Sequence, residues 1–206
     1  MTEKERMQAG LIYVPMDKEI LAEQLAYLDL MHEYNQTKSS ELEKRQELLK
    51  KMFGKIGENC YFEAPIHSNF GCRHVYAGNH VYANFNITLV DDGNIYIGDD
   101  VMFAPNVTIA TAGHPINARL RKIGYQYNQD VHIGNNVWVG AGAIIMPGVT
   151  IGDNTIIGAG SIVTKDIPSN VVAVGNPCKV MRPVGEKDDK YFFKNLEIDW
   201  DDLNYK

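Results

Sequence analysis

Residues 111 to 130, TAGHPINARLRKIGYQYNQD, contain one histidine, His114, set between Gly113 and Pro115. An imidazole with an unperturbed pKa of ~6.5 is partly neutral near pH 7, so it can take a proton from a hydroxyl without extreme tuning. Glycine and proline on either side constrain the backbone and so the direction in which the ring is presented. The plain alternative is a solvent-exposed loop histidine with no task. His74, His80 and His132 are further imidazoles that, with His114, would have to converge from distant positions to hold a metal ion. Cys60, Cys72 and Cys178 are widely spaced and odd in number, which points to packing residues and to neither a disulfide framework nor a CxxC metal site.

The elements that must hold His114 follow from a period. Six six-residue units run from Ile133 to Pro168: IGNNVW, VGAGAI, IMPGVT, IGDNTI, IGAGSI and VTKDIP. Each opens on an aliphatic residue, at Ile133, Val139, Ile145, Ile151, Ile157 and Val163, usually with glycine next. The period is too short for an amphipathic helix pair and suits a parallel β-helix with three flat faces, three units to a coil. The openers should stack inward as an aliphatic column, and the glycine is expected because the corner needs backbone angles that a Cβ opposes. The register continues upstream through Ala77, Ala83 and Leu89 and, after a two-residue slip at Asp92-Gly93, through Ile97, Phe103 and Ile109. Between Ile109 and Ile133 no opener is in phase, so residues 110–130 are expected to be a loop extruded from the wall, where function tends to be placed.

The chain of 206 residues carries a net charge of −6, which argues against general nucleic-acid binding. No apolar run reaches the roughly 20 residues that span a bilayer, and MTEKERMQAG lacks the apolar stretch of a signal peptide, so a cytoplasmic protein without membrane contact is expected. Residues 1–57 read as a helical cap: Thr2 with Glu5 and Ser40 with Glu43 have capping-box form. Ile20, Leu21, Leu25, Leu28, Met31 and Tyr34 make an apolar stripe; Leu42, Leu49 and Phe53 lie near one face of a further helix that Gly54 could end. An uncovered first coil would expose both its apolar column and its strand edges, so a cap is required. The β-helix is expected over 58–181. In the tail, 182–206, the EKDDK run should be solvated, and Tyr191, Phe192, Phe193 and Trp200 look like an aromatic anchor on the wall.

The segments YANFN (82 to 86), VDDG (90 to 93), APNVTI (104 to 109), TAGHP (111 to 115), GNNVWVGAGAIIMPGVTIGDN (134 to 154), IGAGSIVTKDIP (157 to 168) and GNPCKV (175 to 180) resemble the galactoside/maltose O-acetyltransferase group of hexapeptide-repeat acyltransferases. The resemblance covers nearly the whole chain up to about Val180. It implies a mainly β, left-handed parallel β-helix assembled as a homotrimer, acetyl-CoA in the groove between subunits, no metal, and a sugar hydroxyl as acceptor. In that family the histidine of the TAGHP motif is the catalytic base, a role a hydroxyl nucleophile requires because it attacks poorly while it keeps its proton. Asn84 and Asp92 match positions that contact the acceptor, and an amide with a carboxylate suits a polyol. Ala141 and Ala159 match positions where a small residue lets the pantetheine arm lie against the backbone. Thr164 and Lys165 match another donor contact; Lys179, in place of the relatives' arginine, and Arg182 match basic residues near the adenine nucleotide. Lys165, Lys179 and Arg182 would make a positive cluster for the donor's phosphates.

One departure concerns the early segment LIYVPMDKEI. Val14 and Pro15 stand where relatives carry an acidic residue that reaches the acceptor, and Asp17 is displaced by two or three positions. The polar turn at Asn69 in HSNFGCRH is another place from which the acceptor could be approached. Tyr82, Phe85 and Trp138 could wall a sugar face or pack at a subunit interface. Two competing functions share the fold: a metal-dependent hydratase of the carbonic-anhydrase kind, which needs three converging histidines, and a catalytically silent trimeric scaffold.

Overall fold

The computed structural model describes residues 1–203, and the last three residues of the expected tail lie outside that range. Three helices open the chain: α1 (Glu3–Gln8), α2 (Lys18–Asn35) and α3 (Leu42–Met52). Thr2 and Glu5 form the expected capping box on α1. Ser40 caps nothing. The N-cap of α3 is Glu41, whose carboxylate turns back to accept from the Lys38 amide at 2.7 Å, so the reach a Ser40 cap would need is lost. On α2 the stripe is buried at Ile20 and Tyr34, whereas Leu25 stays 61% exposed. On α3 Leu48, Leu49 and Met52 are buried and Leu42 is not. Arg45 takes the buried place instead, donating to Thr37 Oγ1 at 2.8 Å and Tyr61 O–H at 3.0 Å.

These helices close the first coil. Phe53 packs edge-on against Phe62 with ring centroids 4.9 Å apart, and Tyr34, Leu48, Leu49 and Met52 belong to one apolar cluster with Phe62 and Ile66. The strand edge is met by side chains: the Tyr34 hydroxyl donates to the Phe62 carbonyl, and the Asn35 amide brackets Ile66, donating to its carbonyl and accepting its N–H at 2.8 Å each. Unpaired main-chain groups at the end of the column are thereby satisfied.

The rest of the wall is a parallel β-helix of three sheets. Face one stacks Val75–Ala77, Ile95–Ile97, Val131–Ile133 and Thr150–Ile151. Face two stacks Tyr61–Phe62, Tyr82–Ala83, Met102–Phe103, Trp138–Val139, Ile156–Ile157 and Val171–Val174, with Lys179–Pro183 closing it antiparallel. Face three stacks Ile66–Ser68, Ile87–Val90, Thr108–Ala110, Ile144–Ile145 and Ile162–Val163. The expected register holds: Ala77, Ile97, Ile133 and Ile151 pair in sequence on face one, and Ala83, Phe103, Val139 and Ile157 on face two. Every opener is buried.

The glycines after the openers have a different cause from the expected one. Gly134, Gly140, Gly152 and Gly158 do not have positive φ. A Cβ on Gly140 would lie 2.5 Å from the Ala159 nitrogen, and one on Gly98 would lie 2.7 Å from the Gly134 carbonyl oxygen. The coils stack too closely at these corners for any side chain. The left-handed backbone angles fall three positions after the opener, at Asn136 and Asn154 or at Gly142 and Gly160, and at Asn170, three after Ile167, which bridges to Ile151 on face one. The asparagines then bond to one another along the axis, Asn136 to Asn154 at 3.2 Å and Asn154 to Asn170 at 3.0 Å.

After the wall comes a short helix, α5 (Glu186–Lys190), then a hairpin of Tyr191–Phe193 and Leu196–Glu197. Phe192, Phe193 and Trp200 are 67%, 58% and 58% exposed, so the expected aromatic anchor on the wall does not form within one chain. The hairpin pairs with itself and turns its rings outward. Cys60, Cys72 and Cys178 are buried and unbridged. Among the described residues no helix is long and apolar enough to cross a membrane.

Candidate active site

All the sequence-predicted residues except Lys179 and Arg182 fall on two edges of the triangular wall. Residues that follow face three turn the corner toward face one, and that edge carries Asp92, His114, Thr164 and Lys165. Residues that follow face two turn toward face three, and that edge carries Asn84, Ala141 and Ala159.

On the first edge the extruded segment is an ordered hairpin. Thr111 is fully buried; its hydroxyl donates to the Val90 carbonyl at 2.6 Å and accepts the Gly93 N–H at 2.8 Å, so the loop is anchored to the slip beside Asp92. Ala112–Gly113 pairs antiparallel with Tyr127–Asn128. Gly113 lets the Tyr127 ring lie close over the strand, since a Cβ there would lie 2.8 Å from the outer end of that ring and displace it. Between the strands lies α4 (Ala118–Ile123), capped by the Asn117 side chain and ended by Gly124 at φ 94°. His114 stands exposed at the top of this hairpin, with Nδ1 3.0 Å from the Tyr125 carbonyl oxygen. A carbonyl only accepts, so Nδ1 carries the hydrogen and Nε2 keeps its lone pair.

Asp92 is nearly buried and, among the described residues, has no cationic partner; its oxygens accept from Asn69 Nδ2 at 2.8 Å and Gln126 Nε2 at 2.7 Å. Behind them Tyr13, Gln126 and Asn128 form a buried polar cluster. Burial, with the Asp92 charge adding to it, pushes the Tyr13 phenol well above its ordinary pKa. Neighbouring Asp91 is also buried, accepting from Ser68 Oγ at 2.5 Å and Phe70 N at 2.8 Å, and burial raises its carboxyl. Tyr13, Gln126, Asn128 and Asp91 were not singled out by sequence reasoning. Asp17, the displaced acid, is spent as the N-cap of α2, accepting from Glu19 N at 2.9 Å.

On the second edge Asn84 accepts the Phe85 N–H at 2.8 Å and satisfies its own corner. Below it the chain is narrow: Gly160 N donates to Ala141 O at 2.8 Å, so Ala141 and Ala159 lie on adjacent coils with no long side chain between. Phe85, Met102 and Trp138 stand beside this column, each close to half exposed.

The basic residues are not gathered within one chain. Lys165 lies on the first edge, whereas Lys179 and Arg182 belong to the antiparallel strand that closes face two. Arg182 holds Asp188 in a two-pronged pair at 2.7 Å per contact and draws its carboxyl down to about 2. The histidines each have separate partners: His74 the Asp91 carbonyl, His80 the Asp100 carboxylate, His132 the stacked Tyr96 ring.

The maltose acetyltransferase hexapeptide capping motif matches residues 6–57, and the bacterial transferase hexapeptide (six repeats) matches residues 130–165. The galactoside O-acetyltransferase of Lactococcus lactis is 51% identical over 198 residues, 96% of each chain, and that of Escherichia coli K12 is 47% identical over 195 residues, 95% of this chain and 96% of the relative. A galactoside acetyltransferase solved in complex with coenzyme A superposes with a TM-score of 0.93 at 47% identity, covering 96% of this chain and 98% of that one. A maltose O-acetyltransferase from Clostridium difficile 630 superposes at 0.88 with 47% identity, covering 90% and 99%. With its cap, its repeats and its extruded hairpin all matched over almost the full length, the chain belongs to the galactoside/maltose O-acetyltransferase group of hexapeptide-repeat acyltransferases.

Proposed function

We propose that this acyltransferase moves an acetyl group from acetyl-CoA to a hydroxyl of a galactoside, maltose or glucose-like sugar, in sites made between the subunits of a homotrimer. The carrying observation is the division of the site residues between two edges. A strand face of about six residues at ~3.3 Å each separates the edges by up to roughly 20 Å, so His114 and Asn84 of one chain do not meet on one small acceptor. Two copies packed edge to edge unite them.

The order along the axis supports the same arrangement. Asn84 and Asp92 lie at an early coil, the His114 hairpin springs from the coil after it, and Ala141, Ala159, Thr164 and Lys165 follow below. From the coil of Leu89 to that of Val163 is three strand steps, roughly 14 Å at ~4.8 Å each. That length accommodates an acceptor at the upper end and an extended pantetheine arm below, with the base between them. Small residues on one edge and exposed strand backbone leave room for the arm.

In the reaction the acceptor hydroxyl attacks the thioester carbonyl as His114 Nε2 takes its proton. The new C–O bond forms and the tetrahedral intermediate collapses with cleavage of C–S. The imidazolium returns the proton to the departing sulfur. No side chain is acylated, and Nδ1–H on the Tyr125 carbonyl keeps the ring in the needed tautomer.

The test incubates purified protein and acetyl-CoA with galactosides, glucosides, maltose and non-sugar alcohols, following release of the CoA thiol. Turnover confined to sugars is expected. Turnover of simple alcohols at the same rate, or of no hydroxyl compound, would sink the reading.

A further inference from the structure

Gln126 occupies a singular place. It belongs to the loop that carries His114, its main chain pairs with Tyr13 through two hydrogen bonds of 3.0 Å, and its side chain is buried against Asp92. Nε2 lies 2.7 Å from Asp92 Oδ1 and 2.7 Å from the Tyr13 hydroxyl oxygen, and those two contacts use both amide hydrogens. A carboxylate only accepts, so the amide orientation is fixed by chemistry. Asn69 Nδ2 takes Oδ2 from the opposite side at 2.8 Å. Asp92 is thus a nearly buried carboxylate held by two neutral amides from two separate segments.

We propose that Gln126 is a positioning residue that sets the acceptor site: it holds Asp92 in a single rotamer and makes that placement depend on both the N-terminal cap and the His114 hairpin. This rests on the reading of Asp92 as an acceptor contact. A carboxylate aimed at sugar hydroxyls is specific only if its own rotation is blocked, and each amide blocks one oxygen while leaving lone pairs for the ligand. Because the same residue is bonded to the cap and lies one position from Tyr125, the carbonyl partner of His114, acceptor and base are referred to one rigid unit. The cap segment is therefore linked to Asp92 through Tyr13 and Gln126.

The test compares Asp92→Asn, Gln126→Leu and Gln126→Glu in the full chain, measuring kcat, acceptor KM and acetyl-CoA KM between pH 6 and 8 on the best sugar of the panel above. Gln126→Leu leaves one Asp92 oxygen unmatched and should raise acceptor KM about ten-fold, with acetyl-CoA KM within about two-fold. Gln126→Glu puts two carboxyls in contact, which cannot both ionise, so one holds its proton to a higher pH. As pH falls the shared proton restores a donor to Asp92, and the ratio of variant to wild-type acceptor KM should fall toward one. The titratable groups touching this position are Asp92 and Tyr13, while Glu23, Arg73, His74, Tyr76, Asp130 and His132 line a cavity of about 670 Å³ that Asp92 also borders. Dividing by wild type at each pH removes their contribution. An unchanged acceptor KM in Gln126→Leu, a flat ratio in Gln126→Glu, or equal losses in both KM values overturns the proposal while Asp92→Asn still raises acceptor KM. An unchanged acceptor KM in Asp92→Asn removes the reading of Asp92 and the proposal with it.

Discussion

His114 Nδ1 lies 3.0 Å from the main-chain carbonyl of Tyr125, across the hairpin that the loop makes of itself. The imidazole that we propose as the base is therefore oriented by backbone, and no carboxylate is needed to hold its tautomer. Replacing His114 with alanine should lower kcat by roughly 10³-fold, within the range for loss of a general base. Acetyl-CoA KM and the mass of the assembly in solution should be unchanged; turnover near wild type in the thiol-release assay would refute the assignment.

If each site takes one edge from each of two copies, two inactive variants should complement one another. His114→Ala disables the hairpin edge, and Ala159→Tyr fills the narrow edge and should raise acetyl-CoA KM at least ten-fold. Unfolding and refolding an equal mixture should produce trimers that contain some intact sites, with activity restored to a substantial fraction of wild type. Mixed trimers, verified by mass, that stay inactive would place the whole site in one chain.

Gly140 and Gly142 separate the two reasons for glycine at a corner. An added methyl on Gly140 meets the Ala159 backbone at 2.5 Å, whereas Gly142, at φ +68°, has nothing within 4 Å. Gly140→Ala should cost about 2 kcal/mol or more through overpacking, and Gly142→Ala about 1 kcal/mol through backbone strain alone. Denaturant midpoints would rank the two, and a larger loss at Gly142 would reverse the assignment.

The Arg182 and Asp188 pair makes a local prediction in acid. With its folded-state carboxyl lowered to about 2, Asp188 contributes stability above the ordinary aspartate pKa near 4 that is lost as pH falls through about 2. The pair is solvent-exposed, so its contribution is under about 1 kcal/mol. Carboxyl chemical shifts should give Asp188 a midpoint near 2 in wild type and a higher one in Arg182→Ala, still held below the ordinary aspartate value because the Gly185 N–H continues to donate to it at 2.9 Å. A midpoint unmoved by that substitution would show that the guanidinium is not the cause.

Much of this was legible in the chain because the signal is local and repeated. A period of six with aliphatic openers has one efficient way to bury them, and the two-residue slip and the out-of-phase stretch were visible as departures from that period. The hairpin inside the loop was not: it pairs two dipeptides, Ala112–Gly113 and Tyr127–Asn128, too short to carry a pattern. The cap was legible as helices but misread at Ser40, where Glu41 offers a competing local cap. The aromatic tail was misjudged because hydrophobicity says that a ring should be covered without saying by what.

By itself, then, the sequence determined the coil, the column of openers and the presence of a constrained histidine, since each depends on neighbours within a few residues. Only the tertiary structure decided which edge each candidate residue occupies and which side chains bond to Asp92. Tyr13, Asn69 and Gln126 are far apart along the chain and carry no shared spacing. Asn69 and Gln126 meet at Asp92, with Tyr13 behind Gln126, because the cap, the first coils and the inserted loop are stacked on one corner, an adjacency that depends on closure of the whole wall.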